Sequence, residues 1–452
     1  MDNQLQPKYS NKRVAFLVST QSLIVAGGIG QFAQAFVVMA NELGWVVDLI
    51  LDSPLQQRNH QLIDPLLNCG QISLVYDRGT YTYNDHVDTF AFSDSINFEK
   101  EANFRSNFMH ALKVNMYDLI VCNVPEAWSP VYATGLTSYI PTVFYTHNEN
   151  LIGFEDKVGP YSQEYTEHYK RLLSLPGIII GTQTPANVER MKGMCDHARV
   201  MAMPVADYKE LVETTCVESH KAGVLFIGRW EERKNPQAYI KAMIETGLPA
   251  KVLTNKNGAR KFEAAFKEAG FKNYIIKYAL SGKEKAEFFA GCKVAFLPYR
   301  KEAFGYAALE ASVHCHTILL PFPWTTMFNG VPNVHMASGS SVSALILSLY
   351  KKTFIPSLSY IQQYQKKTYS DWDSIFAHQP KLKPSHSTIS QQDNFWYGTF
   401  IEGLNRAVSV EDIVPAYRIP HARKYTPTHT WLTTTNTMPN AAPEANANSL
   451  FD

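Results

Sequence analysis

Two glutamates eight positions apart carry the clearest chemical signal in this 452-residue sequence. Glu302 follows a short apolar segment, residues 293–298, which is typical of a buried parallel strand. Glu310 lies in the helix predicted after Gly305, where apolar and small residues recur at helical spacing, so both carboxylates can face one cleft. Gly305 would let a ligand approach the backbone at the start of that helix, where unpaired N–H groups favour an anion.

A pair of glutamates around a helix is more often a first-turn acid that complements the helix dipole and a solvated surface residue. A second motif argues against that interpretation. Residues 222–227 predict a strand that leads into Gly228 and Arg229, and Lys234 follows just before a predicted helix. Two fixed cations there would stabilise negative charge on a departing phosphate without a metal ion.

These motifs resemble those of retaining GT-B glycosyltransferases, the family of sucrose and glycogen synthases. Residues 302–311 read Glu-Ala-Phe-Gly-Tyr-Ala-Ala-Leu-Glu-Ala, similar to the family signature Glu-x-Phe-Gly-x4-Glu-Ala. The Gly-Arg-x4-Lys segment, residues 228–234, is similar to the diphosphate clamp of that family. The resemblance extends over residues 13–380 and implies an α/β fold with two Rossmann-like, doubly wound domains that face a central cleft.

The resemblance also implies roles for individual residues. Arg229 and Lys234 would hold the diphosphate of a nucleotide sugar. Glu302 would bind the sugar hydroxyls and stabilise positive charge at the anomeric carbon, and Glu310 would bind the ribose. The other donor-site residues that it implies are Gly28, Gly30, Phe304, Gly305 and Tyr278. No metal and no further cofactor is expected.

Polar residues follow two predicted strands of the first half, residues 117–123 and 141–146. Open α/β sheets bind ligands at the carboxyl ends of their strands. A single histidine at a strand end is usually a satisfied hydrogen-bonding residue. On the resemblance, however, His147 contacts the transferred sugar and belongs with the catalytic residues. The candidate acceptor-binding residues are Glu126, Asn148 and Glu149.

The organisation predicted along the chain has five parts. Residues 1–12 form a loose N-terminus, residues 13–210 an acceptor domain and residues 222–385 a nucleotide-sugar domain. An amphipathic helix at 388–415 is expected to cross back to the first domain, and residues 425–452 to be disordered. The formal charge is −9 over residues 1–220 and +10 over residues 221–301, so the basic middle suits a phosphate-bearing ligand.

Composition narrows the class of protein. The six cysteines show no CxxC spacing, so neither a zinc knuckle nor a disulfide framework is indicated. A net charge of +1 does not by itself favour a nucleic-acid or membrane-surface partner. No apolar run reaches the length of a membrane span, and we expect a cytoplasmic protein, in the host cytoplasm if a phage encodes it.

Several alternatives stay open at the level of sequence. The segments around residues 118–127 and 143–148 resemble bacteriophage enzymes that glucosylate or otherwise glycosylate 5-hydroxymethylcytosine, so double-stranded DNA is the leading acceptor. The runner-up is a bacterial surface polysaccharide or small-molecule acceptor. A nucleotide-sugar epimerase or a non-catalytic binding protein of the same fold is a further alternative.

Two local features do not fit the GT-B sequence pattern directly. His316 stands where the family places a glycine, which suggests altered packing beside the nucleotide. Asp371 and Asp373 form an Asp-x-Asp pair, the metal-binding pattern of another glycosyltransferase architecture. No apolar strand precedes the pair, so we interpret it as a helix N-terminus with capping side chains.

Overall fold

The chain is described by a computed structural model. It describes residues 9–24, 28–55, 64–68, 70–78, 97–147, 163–175, 177–191, 198–278, 280–302, 304–338 and 341–377. Residues 1–8 of the expected loose N-terminus lie outside this description. So do the expected crossing helix at 388–415, the expected disordered tail at 425–452, and Asn148 and Glu149.

The strands are β1 (Arg13–Val18), β2 (Val46–Leu51), β3 (Leu74–Tyr76), β4 (Leu119–Cys122), β5 (Thr142–Tyr145), β6 (Ile179–Thr182), β7 (Ala198–Val200), β8 (Val224–Ile227), β9 (Ala250–Thr254), β10 (Tyr274–Tyr278), β11 (Val294–Leu297), β12 (His316–Leu319) and β13 (Val334–Met336). The α-helices are α1 (Thr20–Ile24), α2 (Gly28–Glu42), α3 (Asp64–Asn68), α4 (Phe98–Val114), α5 (Trp128–Tyr132), α6 (Gln163–Leu173), α7 (Pro185–Met191), α8 (Tyr208–Glu213), α9 (Pro236–Thr246), α10 (Lys256–Glu268), α11 (Gly282–Ala290), α12 (Tyr306–Ser312), α13 (Val342–Lys351) and α14 (Ser359–Asp373).

Within the described residues, the strands form two parallel sheets. The first has the order β3-β2-β1-β4-β5-β6-β7, and the second has the order β10-β9-β8-β11-β12-β13. In each sheet the order reverses between two central strands, β1 and β4 in the first and β8 and β11 in the second. Ligands of doubly wound sheets bind at the carboxyl ends of the strands at this switch point.

The central strands are apolar along their whole length because helices cover both faces of a parallel sheet. Val14 to Val18 of β1 are fully buried, as are Val294 to Leu297 of β11 except for 1% exposure of Phe296. Helix α2 packs on the first sheet through Phe32 and Phe36, whose rings lie 6.4 and 4.7 Å from Phe16 of β1. This packing fixes where the N-terminus of α2 lies relative to the strand ends.

Helix α14 follows the second sheet but packs against the first domain. The ring of Trp372 lies 4.9 Å from Phe36 and 6.2 Å from Tyr145. Its indole N–H donates to the carbonyl of Ala202 at 2.9 Å, and the hydroxyl of Tyr369 donates to Glu42 at 2.6 Å. A crossing of this kind was expected only after residue 388; α14 already makes one.

Two details differ from the sequence-based expectation. Asp371 and Asp373 lie in the last turn of α14 rather than at a helix N-terminus, since the apolar positions that define this helix begin well before them. His316 begins β12 and is buried, with its ring 5.4 Å from that of His335. It therefore lies at the amino end of its strand, on the opposite edge of the sheet from the switch-point site. Among the described helices, none is both long enough and apolar enough for a bilayer crossing.

Candidate active site

The ends of β8 and β11 bring two of the predicted residues into contact. Lys234 follows β8 and Glu302 follows β11, and the ammonium forms a direct ion pair with Glu302 Oε1. Both side chains are largely buried, at 13% and 14% exposure. The ammonium also lies 4.0 Å from the ring centroid of Tyr299, a cation–π distance. The switch point of the second sheet therefore holds a cation and a carboxylate in one shielded place.

Some neighbours of Lys234 lower its pKa, and others raise it. Burial is the main cause that lowers the pKa of Lys234, and the nearby guanidinium of Arg233 lowers it further. The contact with Glu302 acts the other way and favours the charged ammonium, because an opposite charge at contact stabilises an ion. The ring of Tyr299 packs against the ammonium, and the Tyr299 hydroxyl donates to the carbonyl of Ile227.

Arg229 joins the same cluster through a shared carboxylate. Glu231 accepts from Arg229 Nε at 2.9 Å through one oxygen and from Arg233 Nε at 2.7 Å through the other. The two guanidinium groups lower the pKa of Glu231, although its burial acts in the opposite direction and is the largest single cause. With Lys234 and Glu302, the cluster contains three cations and two carboxylates, so its net positive charge suits an anion.

The backbone at Gly305 is held by aromatic packing. Gly305 has φ +80° and precedes the first residue of α12. A Cβ there would lie 2.6 Å from Trp324 Cζ3 and 3.2 Å from Phe328 Cε2. The Trp324 indole donates in turn to the carbonyl of Tyr299 at 3.1 Å. A larger residue at this position would therefore strain the backbone and press on Trp324, whose indole is hydrogen-bonded to Tyr299, the residue that Lys234 contacts.

Glu310 does not join the Lys234 cluster directly. It is 3% exposed, and its Oε1 lies 2.9 Å from the ammonium of Lys285 on α11. Lys285 also contacts Asp207 at 2.8 Å. Burial is the main cause that raises the pKa of Glu310, and Lys285 opposes it.

His147 occupies the matching position in the first sheet, just after β5. Its Nε2 is hydrogen-bonded to Asn123 Oδ1, which follows β4, and its ring lies 5.0 Å from Phe32 of α2. The amide of Asn123 also donates to the carbonyl of Ile29 at 3.5 Å, so Oδ1 is the acceptor for a protonated Nε2. Burial lowers the pKa of His147 to about 3. The imidazole is thus neutral.

The predicted glycines stand at the start of α2, beside His147. Gly28 is exposed and a Cβ there would meet no described atom within 4 Å, whereas Gly30 is buried. Among the described residues, none fills the space beside Gly28 at the N-terminus of α2, while Gly30 contributes to packing.

Aromatic side chains connect the two halves of the site. Phe304 of the glutamate motif lies 5.6 Å, ring to ring, from Tyr364 of α14, whose hydroxyl donates to the carbonyl of Met203. The hydroxyl of Tyr306 donates to the carbonyl of Pro204. The motif after β11 therefore lies against the connection between the two domains.

Two predicted residues lie apart from these contacts. Tyr278 ends the edge strand β10 and is 52% exposed. Glu126 is partly buried in a short 3-10 helix after β4; burial is the main cause that raises its pKa, and Lys100 opposes it. Asn148 and Glu149 cannot be placed, as they lie outside the described ranges.

Sequence analysis missed Glu231, Arg233, Tyr299 and Lys285. The Glu-Glu-Arg-Lys segment at 231–234 has the composition of a solvated surface, and only the switch-point position makes it part of a site. Within the ranges that the structure describes, no three His, Cys, Asp or Glu side chains are grouped to hold a metal ion.

The sequence matches no protein-family model and no curated protein. Its structure is similar to sucrose-phosphate synthase from Thermosynechococcus elongatus, with a TM-score of 0.55, 13% identity and coverage of 88% of this chain and 100% of that chain. For Anabaena HepE in complex with UDP and glucose, the TM-score is 0.54 at 12% identity, with coverage of 87% and 100%. For the lipopolysaccharide outer core galactosyltransferase WaaB, the TM-score is 0.51 at 12% identity, with coverage of 81% of this chain and 99% of that chain. The two parallel-sheet domains thus form the GT-B fold, as the sequence predicted.

We expect Gly305→Ala to destabilise the protein more than Gly330→Ala. Both glycines have φ +80°, so each substitution adds backbone strain of about 1–2 kcal/mol. Only at Gly305 would the new methyl group also meet Trp324, which adds about 1–3 kcal/mol. Urea denaturation of the two variants would measure the difference. Equal losses would show that Trp324 moves away without cost.

We expect His147 to stay neutral from pH 8 down to about pH 5. The unfolded chain binds a proton near pH 6.5, whereas the folded protein does so near its lowered pKa of about 3. The contribution of His147 to stability is therefore complete above about pH 6.5 and is lost as the pH falls. Histidine-selective NMR titration, assigned by comparison with His147→Asn, would test this. A midpoint near 6.5 for the assigned ring would contradict it.

Proposed function

We propose that the protein is a retaining glycosyltransferase that moves a sugar from a nucleoside diphosphate sugar, UDP-linked, to an acceptor hydroxyl. The observation that carries the proposal is the contact between Lys234 and Glu302 at the switch point of the second sheet, with Arg229 beside it. Anabaena HepE, of the same fold, has been solved with UDP and glucose.

In this proposal, the diphosphate binds at Arg229 and Lys234 and replaces Glu302 as the partner of the ammonium. Glu302 then turns to the sugar hydroxyls and stabilises positive charge as the glycosidic bond to phosphate breaks. Two fixed cations stabilise the leaving phosphate oxygens, because they already point to where the charge develops. The acceptor hydroxyl attacks from the face that the diphosphate leaves, its proton passes to the departing phosphate oxygen, and the anomeric configuration is retained.

The remaining roles follow the same assignment. The backbone at Phe304 and Gly305 adds contacts to phosphate, Glu310 to the ribose and Tyr278 to the base. Neutral His147 would accept or donate a hydrogen bond to the sugar rather than supply positive charge. The cluster of arginine and lysine side chains replaces a metal ion in this scheme, so we propose that transfer needs none.

The charged residues of the first domain help to choose between classes of acceptor. At the carboxyl edge of the first sheet lie Asp52, Glu101 and Glu126, with Lys100 3.9 Å from Asp52. Asp52 and Glu101 are buried, but the formal charge of −9 over residues 1–220 suits an uncharged polyhydroxyl acceptor better than a phosphate backbone. Transfer to 5-hydroxymethylcytosine in phage DNA, with a glucosyl or arabinosyl group, stays the rival proposal, supported by the resemblance of the β4 and β5 strand ends.

We expect Lys234→Ala to weaken UDP binding about ten-fold or more, since a buried charge-assisted contact is lost and Glu302 remains to repel the diphosphate. We expect Glu302→Gln to keep or improve UDP binding while turnover of the UDP-sugar falls about 100-fold. Calorimetry and release of UDP from UDP-glucose measure the two effects. Lys241→Ala, at a 79% exposed position of α9, is the matched control.

Other outcomes separate the alternatives. Tight UDP-sugar binding with no turnover by the wild-type protein would indicate a non-catalytic binding protein. Release of an epimerised UDP-sugar would indicate an epimerase. Loss of activity with EDTA would contradict the metal-free scheme.

We expect labelled sugar from UDP-glucose to be incorporated into an oligosaccharide acceptor and not into DNA. The physical reason is the formal charge of −9 over residues 1–220, which disfavours a phosphate backbone. The assay compares oligosaccharides, hydroxymethylated DNA, unmodified DNA and no acceptor. Incorporation that depends on hydroxymethylated DNA would overturn the expectation and establish the DNA proposal.

A further inference from the structure

A buried lysine between two carboxylates links the proposed nucleotide site to the connection between domains. Lys285 Nζ lies 2.9 Å from Glu310 Oε1 and 2.8 Å from Asp207 Oδ2. The side chains of all three residues are at most 8% exposed. We refer to Lys285, Glu310 and Asp207 as the buried triad.

One carboxylate of the triad, that of Glu310, lies on the helix that follows the Glu302 loop. Glu310 lies about one turn into α12. Its charge helps to raise the pKa of Tyr299 and of Tyr306, although burial is the main cause for both. Tyr299 is the residue on whose ring Lys234 lies. Glu310 is thus carried by the helix that begins directly after the loop of Glu302 and Gly305.

The other carboxylate belongs to the connection between the two sheets. Asp207 has φ +54° and stands at the start of α8, just after Pro204, which accepts from Tyr306. An αL conformation is uncommon for a residue other than glycine and needs support from its surroundings. The salt bridge to Lys285 holds the side chain of Asp207 in one position.

The charges explain why Lys285 fixes the position of Glu310. Burial opposes a charged ammonium, but Glu310 and Asp207 outweigh it, so the pKa of Lys285 is raised. Two buried carboxylates without the cation would repel each other in a medium of low polarity. Because Lys285 occupies Oε1 of Glu310, it also sets the direction of Oε2.

We propose that Lys285 is a positioning residue for ribose recognition. Anchored on the interdomain connection by Asp207, it holds Glu310 where its carboxylate accepts the ribose hydroxyls of the nucleotide. This inference rests on the proposed function, because it requires a nucleoside diphosphate beside the cation cluster.

The test compares UDP with 2′,3′-dideoxy-UDP by calorimetry in three proteins. They are the wild type, Asp207→Asn, and Asp207→Asn combined with Lys285→Met. The double variant keeps the triad at the wild-type net charge of one negative unit, so it avoids a pair of uncompensated carboxylates. Lys285→Gln in the same background is a second variant, should the methionine substitution prevent folding, and the same loss is expected from it.

We expect the wild type and Asp207→Asn to bind UDP about ten-fold more tightly than the dideoxy analogue. In the double variant, we expect this preference to fall below about two-fold. A residue needed only for folding would weaken both nucleotides equally and leave their ratio unchanged.

The outcomes distinguish the role of Lys285 from the proposed function. A preference that persists in the folded double variant overturns the role of Lys285. A wild type that binds both nucleotides equally overturns it as well. A wild type that binds neither nucleotide overturns the proposed function itself.

Discussion

The ion pair between Lys234 and Glu302 depends on the topology of the second sheet. The two residues are far apart in sequence, but they follow β8 and β11, the neighbouring strands at which the strand order reverses. Parallel strands deliver their following loops to one edge, so two loops of unlike charge must meet there. The ring of Tyr299 packs against the ammonium of Lys234, and Trp324 connects Tyr299 to the loop at Gly305. The rest of the site is built around this meeting point.

The features predicted from sequence are those with local causes. The segment 293–298 predicted a strand that the structure has as β11, Val294–Leu297, because a parallel strand buried on both faces is apolar throughout. The GT-B fold was predicted from the same local patterns together with the Glu302 and Lys234 motifs, and it is confirmed. Sequence analysis assigned Lys234 and Glu302 to one donor site, but it did not predict the direct ion pair between them. The functional roles of both residues stay predictions.

The features missed from sequence depend on contacts between distant parts of the chain. Lys285 lies on a helix whose other lysine, Lys283, is 78% exposed, and nothing local distinguishes the two. Only the packing of α11 and α12 against the connection at Asp207 makes one of them a buried ion. The same applies to Trp372, whose partners belong to the first domain and whose helix extends well before the Asp-x-Asp pair. Tertiary packing selects these residues, and no short pattern records it.

The carboxylate of Glu302 would compete with any anion that binds to the ammonium of Lys234. A free anion such as inorganic phosphate must displace an attached acid from the ammonium and leaves that acid without a partner. A ligand that carries both a diphosphate and hydroxyl donors satisfies the cation and the displaced acid together. Under the proposed function, the diphosphate that remains after sugar transfer would lose this advantage, and Glu302 would pair with Lys234 again. The pair would thereby favour the nucleotide sugar over the nucleotide alone.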